Sequence, residues 1–581
     1  MKHFSNKQIA KLLRDIAAAY TVKNGNRFKI IAYDQAADSI EHATGELQDL
    51  YEDGRLNTVP GLGEGIQQHL KELFSKGHIK HFDDVKRGLP PAMFNFLDIM
   101  GMGPKTAYKL ASQLGVKNID ELEAAAKTGK IRILPSFGQK SEQEILKSIQ
   151  EYKNTSETRY PLPQAYSVAK RVIDYMKTLN ACQRVEPLGS LRRMVATVGD
   201  IDIAVASHEP KKVIDHFIKF RETERVISSG DVASSILLQN GMRLDLKIQP
   251  PDAFGALLQH FTGSKYHNIK LREYALKSGK SLSEYGIKYK GKQFRFKDEE
   301  SFYHFLKLDY IEPELREDTG EIEAASTHTL PDLVKASDIK GDLHIHSNYP
   351  IEPSHDFGKD SFDTLIQKAQ KLGYEYIGLS DHSPSIANHT KDQILNLIKN
   401  RSVKIEQLNS SQKNIRVLNM LEIDILANGE LSVPEEGLQM LDGAIAGIHS
   451  GHGQDKDTIT KRLLRAINSK KVKIISHPTG RLLLKRKSYD ADWDAIFEAC
   501  SRTNTFLEIN AWPTRLDLPD TLVKRAKGYG VKFIINTDTH DLPHMDNMPF
   551  GLSVARRGWA TKEDIINTYS WLEFSQRFGV T

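Results

Sequence analysis

Apolar residues recur at helical spacing from the start of the chain, with Ile9, Ala10, Leu12, Leu13, Ile16 and Ala17 on one face of a predicted helix. The same spacing predicts helices joined by short glycine-containing turns through residues 1–155. From 160 to 250 helical stretches alternate with strands, and 250–316 mixes the two. Between 316 and 339 the chain turns polar and acidic (REDTGEIEAASTHT), the composition of a linker. From 340 to 581 short apolar runs alternate with helical stretches, the pattern of βα units.

Three turns in the helical region resemble one another: Val59-Pro60-Gly61-Leu62-Gly63, Met100-Gly101-Met102-Gly103-Pro104 and Leu134-Pro135-Ser136-Phe137-Gly138. Two glycines flanking an apolar residue ahead of a helix form a helix–hairpin–helix turn. Glycine lets the backbone approach a phosphate closely, and the free N–H groups of the helix start bind the anion. Such contacts hold DNA without reading its sequence. Gly61, Gly63, Gly101 and Gly103 are therefore the candidate DNA-binding positions.

The segment Val198-Gly199-Asp200-Ile201-Asp202-Ile203 reads as a strand. Residues two apart face the same way, so Asp200 and Asp202 share one side while Ile201 and Ile203 face the core. Two parallel carboxylates suit a pair of Mg²⁺ ions, with Mn²⁺ as the other candidate. Asp245, in Leu244-Asp245-Leu246, supplies a third carboxylate from another short strand. Upstream, Gly189-Ser190 makes a tight turn whose N–H and hydroxyl groups can hold a phosphate. A Gly-Ser turn, a DxD pair and a later strand Asp together form the nucleotidyltransferase pattern.

The C-terminal region gives seven predicted strands. They end near Asp342-Leu343-His344-Ile345-His346, Ser380-Asp381-His382, Leu421-Glu422-Ile423-Asp424, Gly447-Ile448-His449, Ser476-His477-Pro478, Leu507-Glu508-Ile509-Asn510 and Thr537-Asp538-Thr539-His540. Seven βα units with polar residues at the strand C-termini describe a distorted (β/α)7 barrel with its site on that face. Imidazole with carboxylate suits Zn²⁺ or Mn²⁺, or Fe²⁺, better than Mg²⁺.

Composition changes this picture little. At 581 residues with 39% hydrophobic and 27% charged residues, the chain is a multidomain α+β and α/β protein rather than one core. A net charge of +5 is compatible with a nucleic-acid partner. Cys182 and Cys500 cannot build a disulfide framework, and no segment has signal-peptide or membrane-span length, so a cytoplasmic protein is expected.

The motifs GSLRR, GDIDIAV, RLDLKI and HFTGSKYHN resemble the palm and thumb of family X DNA polymerases such as polymerase β. The resemblance implies metal binding by Asp200, Asp202 and Asp245, the last assisting deprotonation of the primer 3′-hydroxyl. It places Arg159, Gly189, Ser190 and Arg193 at the triphosphate, Phe261 and Gly263 beside the incoming sugar, and Asn268 and Arg272 at the base or template. His260 stands where polymerase β has tyrosine. The first turn resembles that of the deoxyribose-phosphate lyase domain. His69 occupies the position of the lyase lysine and Lys71 is two residues out of register, so lyase activity is not expected by the usual route.

The C-terminal region resembles the PHP (polymerase and histidinol phosphatase) domain. HPTGR and LEINAWPTRLDL match the polymerase-fused subgroup. The resemblance implies ligands at His344, His346, His382, Glu422, His449, His477, Asp538 and His540. The usual Ser-Asp-Gly after HxH is replaced by YPIEPSHDFG. Alignment on Gly358 puts Phe357 at the Asp position, leaving Asp356, or alternatively Glu352, as the expected ninth ligand.

The expected domains are 1–85 (lyase-like helical), 86–157 (fingers-like), 158–250 (palm), 251–316 (thumb), 317–338 (linker) and 339–581 (PHP). The expected function is gap filling on gapped or primer-template DNA with dNTPs, joined to 3′–5′ exonuclease or 3′-end processing, in a monomer. A PHP phosphatase fused to a degenerate transferase and a non-catalytic DNA-end scaffold are the competing readings. The intact set of three Asp argues against degeneracy and the repeated DNA-binding turns against a small-molecule substrate, while the scaffold needs lost ligands, for which only the Ser-Asp-Gly segment offers a candidate.

Overall fold

The computed structural model describes residues 4, 6–41, 47, 51, 56, 62–99, 101–157, 159–412 and 414–580. It divides into two compact units, 1–158 and 159–581.

The first unit is helical among its described residues. Asn6–Val22 and Arg27–Glu41 bury Leu13, Ile16 and Ala36 against Leu70 of Glu64–Lys76 and Phe82 of Lys80–Lys86. A second core joins Phe96, Leu110, Leu122 and Ile149. Each fully buried leucine or phenylalanine contributes on the order of 1.5–3 kcal/mol. Gly63 and Gly103 both cap helix N-termini, of Glu64–Lys76 and Pro104–Leu114. Gly101 has φ +79°, a left-handed conformation that disfavours a side chain. Gly61 lies outside the described residues.

The second unit begins with a five-stranded sheet in the order Arg184–Pro187, Ile201–Ala206, Arg243–Gln249, Ala233–Leu238, Thr223–Ser229. Ile201–Ala206 and Arg243–Gln249 run parallel, in a register that sets Asp202 opposite Asp245. The inward residues Ile201, Ile203, Leu244 and Leu246 are all buried, so packing of the apolar alternation fixes which face the carboxylates take. A three-stranded antiparallel sheet of Lys280–Ser283, Gly286–Tyr289 and Lys292–Phe294 follows, with the helix Glu299–Phe305 behind it.

The C-terminal part is a seven-stranded, all-parallel sheet taken in sequence order: Gly341–Ile345, Tyr376–Leu379, Arg416–Asp424, Gly443–Gly447, Val472–Ile475, Phe506–Asn510 and Phe533–Asn536. A parallel bridge between Ile345 and Thr539 nearly closes it into a (β/α)7 barrel. Every strand end read from the apolar runs falls at the C-terminal end of one of these strands.

The stretch 317–338, expected to be a linker, is ordered. It holds the helix Glu321–Ser326, with Glu321 and Ala325 fully buried. Glu321 accepts hydrogen bonds from the backbone N–H of Asp318 and Thr319 and meets His267 Nδ1 at 2.7 Å. The acidic composition that suggested solvent exposure is partly spent on inward bonds.

Candidate functional site

Asp200, Asp202 and Asp245 sit at the start of two adjacent strands. Asp200 is exposed just ahead of Ile201–Ala206, and Asp202 faces Asp245 across the ladder. Burial and repulsion from Asp200 and Asp245 push the Asp202 carboxyl up to about 7. Asp245 is held by Ser235 Oγ and by Arg243, whose Nη2 lies 3.0 Å away. Three acidic groups that repel one another at neutral pH are what a divalent cation relieves.

The Gly189-Ser190 turn is fitted to this pair. Leu188 N–H donates to the Asp202 carbonyl at 2.8 Å, and Gly189 has φ +58°. A Cβ on Gly189 would stand 2.8 Å from Asp202 Oδ2, so only glycine lets the turn approach the carboxylate. Arg159 donates to Thr197 Oγ1 and to its carbonyl, which brings it beside the DxD strand. Arg193 donates to the carbonyls of Thr262 and Gly263. Asn268 sits against Gly263, where a Cβ would lie 2.3 Å from Asn268 Oδ1. Phe261 lies under Lys247 Nζ, 4.4 Å from the ring centre, and Arg272 is partly buried on the helix Lys265–Leu276. His260 packs edge-on to Phe261, and burial holds it neutral, down at about 3.

The barrel site is tighter. Among the described residues, the His, Cys, Asp and Glu groups whose ligand atoms lie within 4.8 Å of one another all belong to it. Glu422 is the hub. Its Oε2 lies 3.1 Å from His344 Nε2, 3.5 Å from His346 Nε2 and 3.2 Å from His382 Nδ1. Its Oε1 lies 3.1 Å from His477 Nε2 and 3.3 Å from His449 Nε2. Asp538 Oδ1 meets His346 Nε2 at 3.4 Å and His540 Nδ1 at 3.6 Å. His477 and Asp538 hold positive φ, 28° and 55°, a strain that the surrounding packing sustains at a functional centre.

These residues fit divalent metal. His344 Nε2, both ring nitrogens of His346, His382 Nδ1 and His477 Nδ1 are buried and make no hydrogen bond. Buried imidazole nitrogens without hydrogen-bond partners, on rings gathered round Glu422 and Asp538, suit a divalent metal. The orientation of the first histidine is set from behind: Glu508 Oε1 lies 2.7 Å from His344 Nδ1 and Oε2 accepts from the His477 N–H. Burial alone would lower the His344 pKa, but attraction to Glu422, Glu508 and Asp538 raises it well above the usual value.

The loop after the first strand departs from expectation. Glu352 turns away and meets His389 Nε2 at 2.8 Å. Asp356 lines the mouth of the pocket without joining a ligand group. Its neighbour His355 does join one, with Asp424 and His449. His355 Nε2 lies 3.0 Å from Asp424 Oδ1, and its ring stands 5.0 Å from that of His382. Gly358 anchors the loop, since a Cβ there would strike the His346 carbonyl at 2.1 Å. The sequence reading missed His355, Asp424 and Glu508 as members of the site. The i, i+2 spacing of Glu422 and Asp424 on one strand could have found the second. The pocket over the cluster has a volume of about 720 Å³ and is lined by Lys359, Arg486 and Arg515 as well as Phe357 and Trp512.

In the first unit, His69 stacks on His81 with ring centres 5.0 Å apart, and His81 Nε2 lies 2.9 Å from Tyr20 Oη. Lys71 is exposed on the same helix, away from that stack.

Comparison with known proteins agrees with this architecture. Residues 4–79 match a helix–hairpin–helix domain, 95–151 a SAM-like helix–hairpin–helix tandem, and 257–317 the DNA polymerase beta thumb. The chain is 34% identical over 570 residues to the DNA polymerase/3′-5′ exonuclease PolX of Bacillus subtilis (strain 168), covering 97% of each. The chain belongs to the PolX family. A probable phosphatase of Thermoanaerobacter sp. (strain X514) is 26% identical over 240 residues, 39% of this chain and 89% of the phosphatase. DNA polymerase lambda of Arabidopsis thaliana is 24% identical over 312 residues, 48% of this chain and 54% of that protein. Polymerase and phosphatase relatives both imply divalent metals. Among the described residues, no helix is long and apolar enough to cross a membrane.

Proposed function

We propose that the chain is a DNA-directed DNA polymerase that fills short gaps during repair and trims or cleans DNA 3′ ends in its barrel. The observation that carries this reading is the presence in one unit of two distinct acidic centres: Asp202 opposite Asp245 with Asp200 beside them, and five histidines converging on Glu422.

In the palm, Asp200, Asp202 and Asp245 would hold Mg²⁺ or Mn²⁺. The Ser190 hydroxyl and the adjacent N–H groups would take a phosphate of the dNTP, with Arg159 and Arg193 balancing its charge. Phe261 and Gly263 would flank the sugar, and Asn268 and Arg272 the base. In the barrel, His344, His346, His382, Glu422, His449, His477, Asp538 and His540 would hold Zn²⁺ or Mn²⁺, with His355 in the place expected for Asp356. Bound cations supply charge neutralisation at the reacting phosphate and lower the pKa of the attacking hydroxyl or water. Lys359, Arg486 and Arg515 would seat the DNA backbone, while Phe357 and Trp512 offer ring faces to the terminal bases.

Gly63 and Gly103 support the DNA partner. Neither has a positive φ, and among the described residues a Cβ at either would meet nothing within 4 Å. Both helix starts are therefore open to close approach by an external backbone. A cytoplasmic monomer completes the reading.

The test is a 5′-labelled gapped duplex incubated with Mn²⁺, with and without dNTPs. The expected result is extension with dNTPs and shortening without them. Release of phosphate from small phosphomonoesters with no action on the duplex would instead favour the phosphatase reading.

A further inference from the structure

The guanidinium assigned to the triphosphate is not held by the palm alone. Arg193 Nε donates to Glu317 Oε1 at 2.9 Å, and its Nη1 donates to the Thr262 and Gly263 carbonyls at 2.7 and 3.1 Å. Its Nη2 takes no part in these bonds. Glu317 belongs to the segment leaving the thumb. The same Glu317 oxygen accepts from Arg557 Nη1 at 3.0 Å. Arg557 ends the barrel helix Met548–Arg557, and its Nη1 also donates to the Arg193 carbonyl at 2.8 Å. Asp520, on the preceding barrel helix, fixes Arg557 through Nε at 2.8 Å. The Arg193 and Arg557 side chains are only 13% and 9% exposed, so these contacts are poorly screened by solvent.

One carboxylate shared by two arginines has an electrostatic consequence. With Arg557 present, Glu317 is shared with a second guanidinium, itself held by Asp520, so Arg193 is not its sole partner and keeps positive charge to offer a phosphate. Without Arg557, Glu317 would pair with Arg193 alone. It would then compete with an incoming anion and add its own repulsion.

We propose that Arg557 of the barrel is a positioning residue for nucleotide binding in the palm, acting by neutralising Glu317 and bracing Arg193. This rests on the polymerase reading of the palm. It makes the barrel a structural part of the nucleotide site, apart from any hydrolysis it performs.

The experiment uses the full chain and steady-state single-nucleotide gap filling. Arg557→Gln should raise the dNTP KM by about tenfold, the size of one partly buried charge contact, with kcat changed less than about twofold. Its 3′-end shortening should match the wild type, because Arg557 lines no part of the barrel pocket. Arg557→Lys should recover part of the KM. The double variant Arg557→Gln, Glu317→Gln should return KM to within about threefold of wild type, since the carboxylate that captures Arg193 is gone. An unchanged KM in Arg557→Gln would overturn the proposal. So would a double variant no better than the single one, or parallel loss of both activities, which would mark simple damage to the domain contact. If the wild type incorporates no nucleotide on any gapped duplex, the polymerase reading itself fails, which is a different outcome from a wild type that polymerises while Arg557→Gln behaves normally.

Discussion

His355 Nε2 and His449 Nδ1 lie 3.0 and 2.6 Å from the same oxygen of Asp424, so a residue of the loop after the first barrel strand shares a carboxylate with a member of the barrel cluster. Asp356, one position on, only borders the pocket. His355→Ala should therefore lower exonuclease activity and bound metal by about 10–100-fold in affinity, the usual cost of removing a group that binds or orients a metal ligand. Asp356→Ala should fall within about threefold of wild type, on the same scale. Metal content by plasma mass spectrometry and 3′ degradation together check this. Equal loss from both substitutions would sink it.

Asp200→Ala with Asp202→Ala should abolish primer extension and leave 3′ shortening. His344→Ala with His346→Ala should do the reverse. The two clusters share no side chain, so either pair silencing both activities in a folded protein, as judged by circular dichroism, would refute independent centres.

Gly189→Ala should suppress extension selectively. The new Cβ would meet Asp202 Oδ2 at 2.8 Å in a left-handed backbone with φ +58°. Strain of about 1–3 kcal/mol is expected, together with a displaced carboxylate. A fall of at least about tenfold in kcat for extension corresponds to 1.4 kcal/mol. Exonuclease rates should not change.

Glu299 sets a pH dependence of stability. It is 4% exposed, lies 2.6 Å from Arg316 Nη1 and also meets Arg192. Burial alone would raise its pKa, but the two guanidinium groups outweigh burial and hold it below the usual carboxylate value. The ionised form is therefore favoured in the fold. Its contribution is complete above the unfolded pKa of about 4.3 and is lost as pH falls through the folded value. Glu299→Gln should cost about 3–5 kcal/mol near pH 7, because Arg316 is left buried without its counter-charge. Its urea midpoint should also fall less than that of wild type on acidification below pH ~4. A midpoint that drops in parallel for both proteins would contradict this.

Gly63→Ala and Gly103→Ala should weaken binding to gapped DNA severalfold while changing thermal stability by less than about 1 kcal/mol, since both backbones are compatible with alanine. Filter-binding and melting curves separate the two effects. Unchanged affinity would mean that the turns do not touch the duplex.

The palm pair and the barrel ends were legible because strand alternation and apolar runs are local signals. Ile201 and Ile203 declare which way Asp202 points, and seven apolar runs announce seven strand termini. His355 was not legible. Its role depends on a loop path fixed by Gly358 against the His346 carbonyl and by Ser354 N–H bonding to the Ser383 carbonyl, contacts that no periodic pattern in the sequence announces. Glu321 misled for a related reason. Composition counts a carboxylate as polar whether it faces water or, as here, a buried histidine and two backbone N–H groups.

The bridge between Ile345 and Thr539 joins the first barrel strand to the residues just beyond the last. His344 and His346 enter the cluster from one side of that seam, Asp538 and His540 from the other. The candidate metal site is therefore split between the two ends of the barrel sequence, and it can assemble only once the chain has been made through His540.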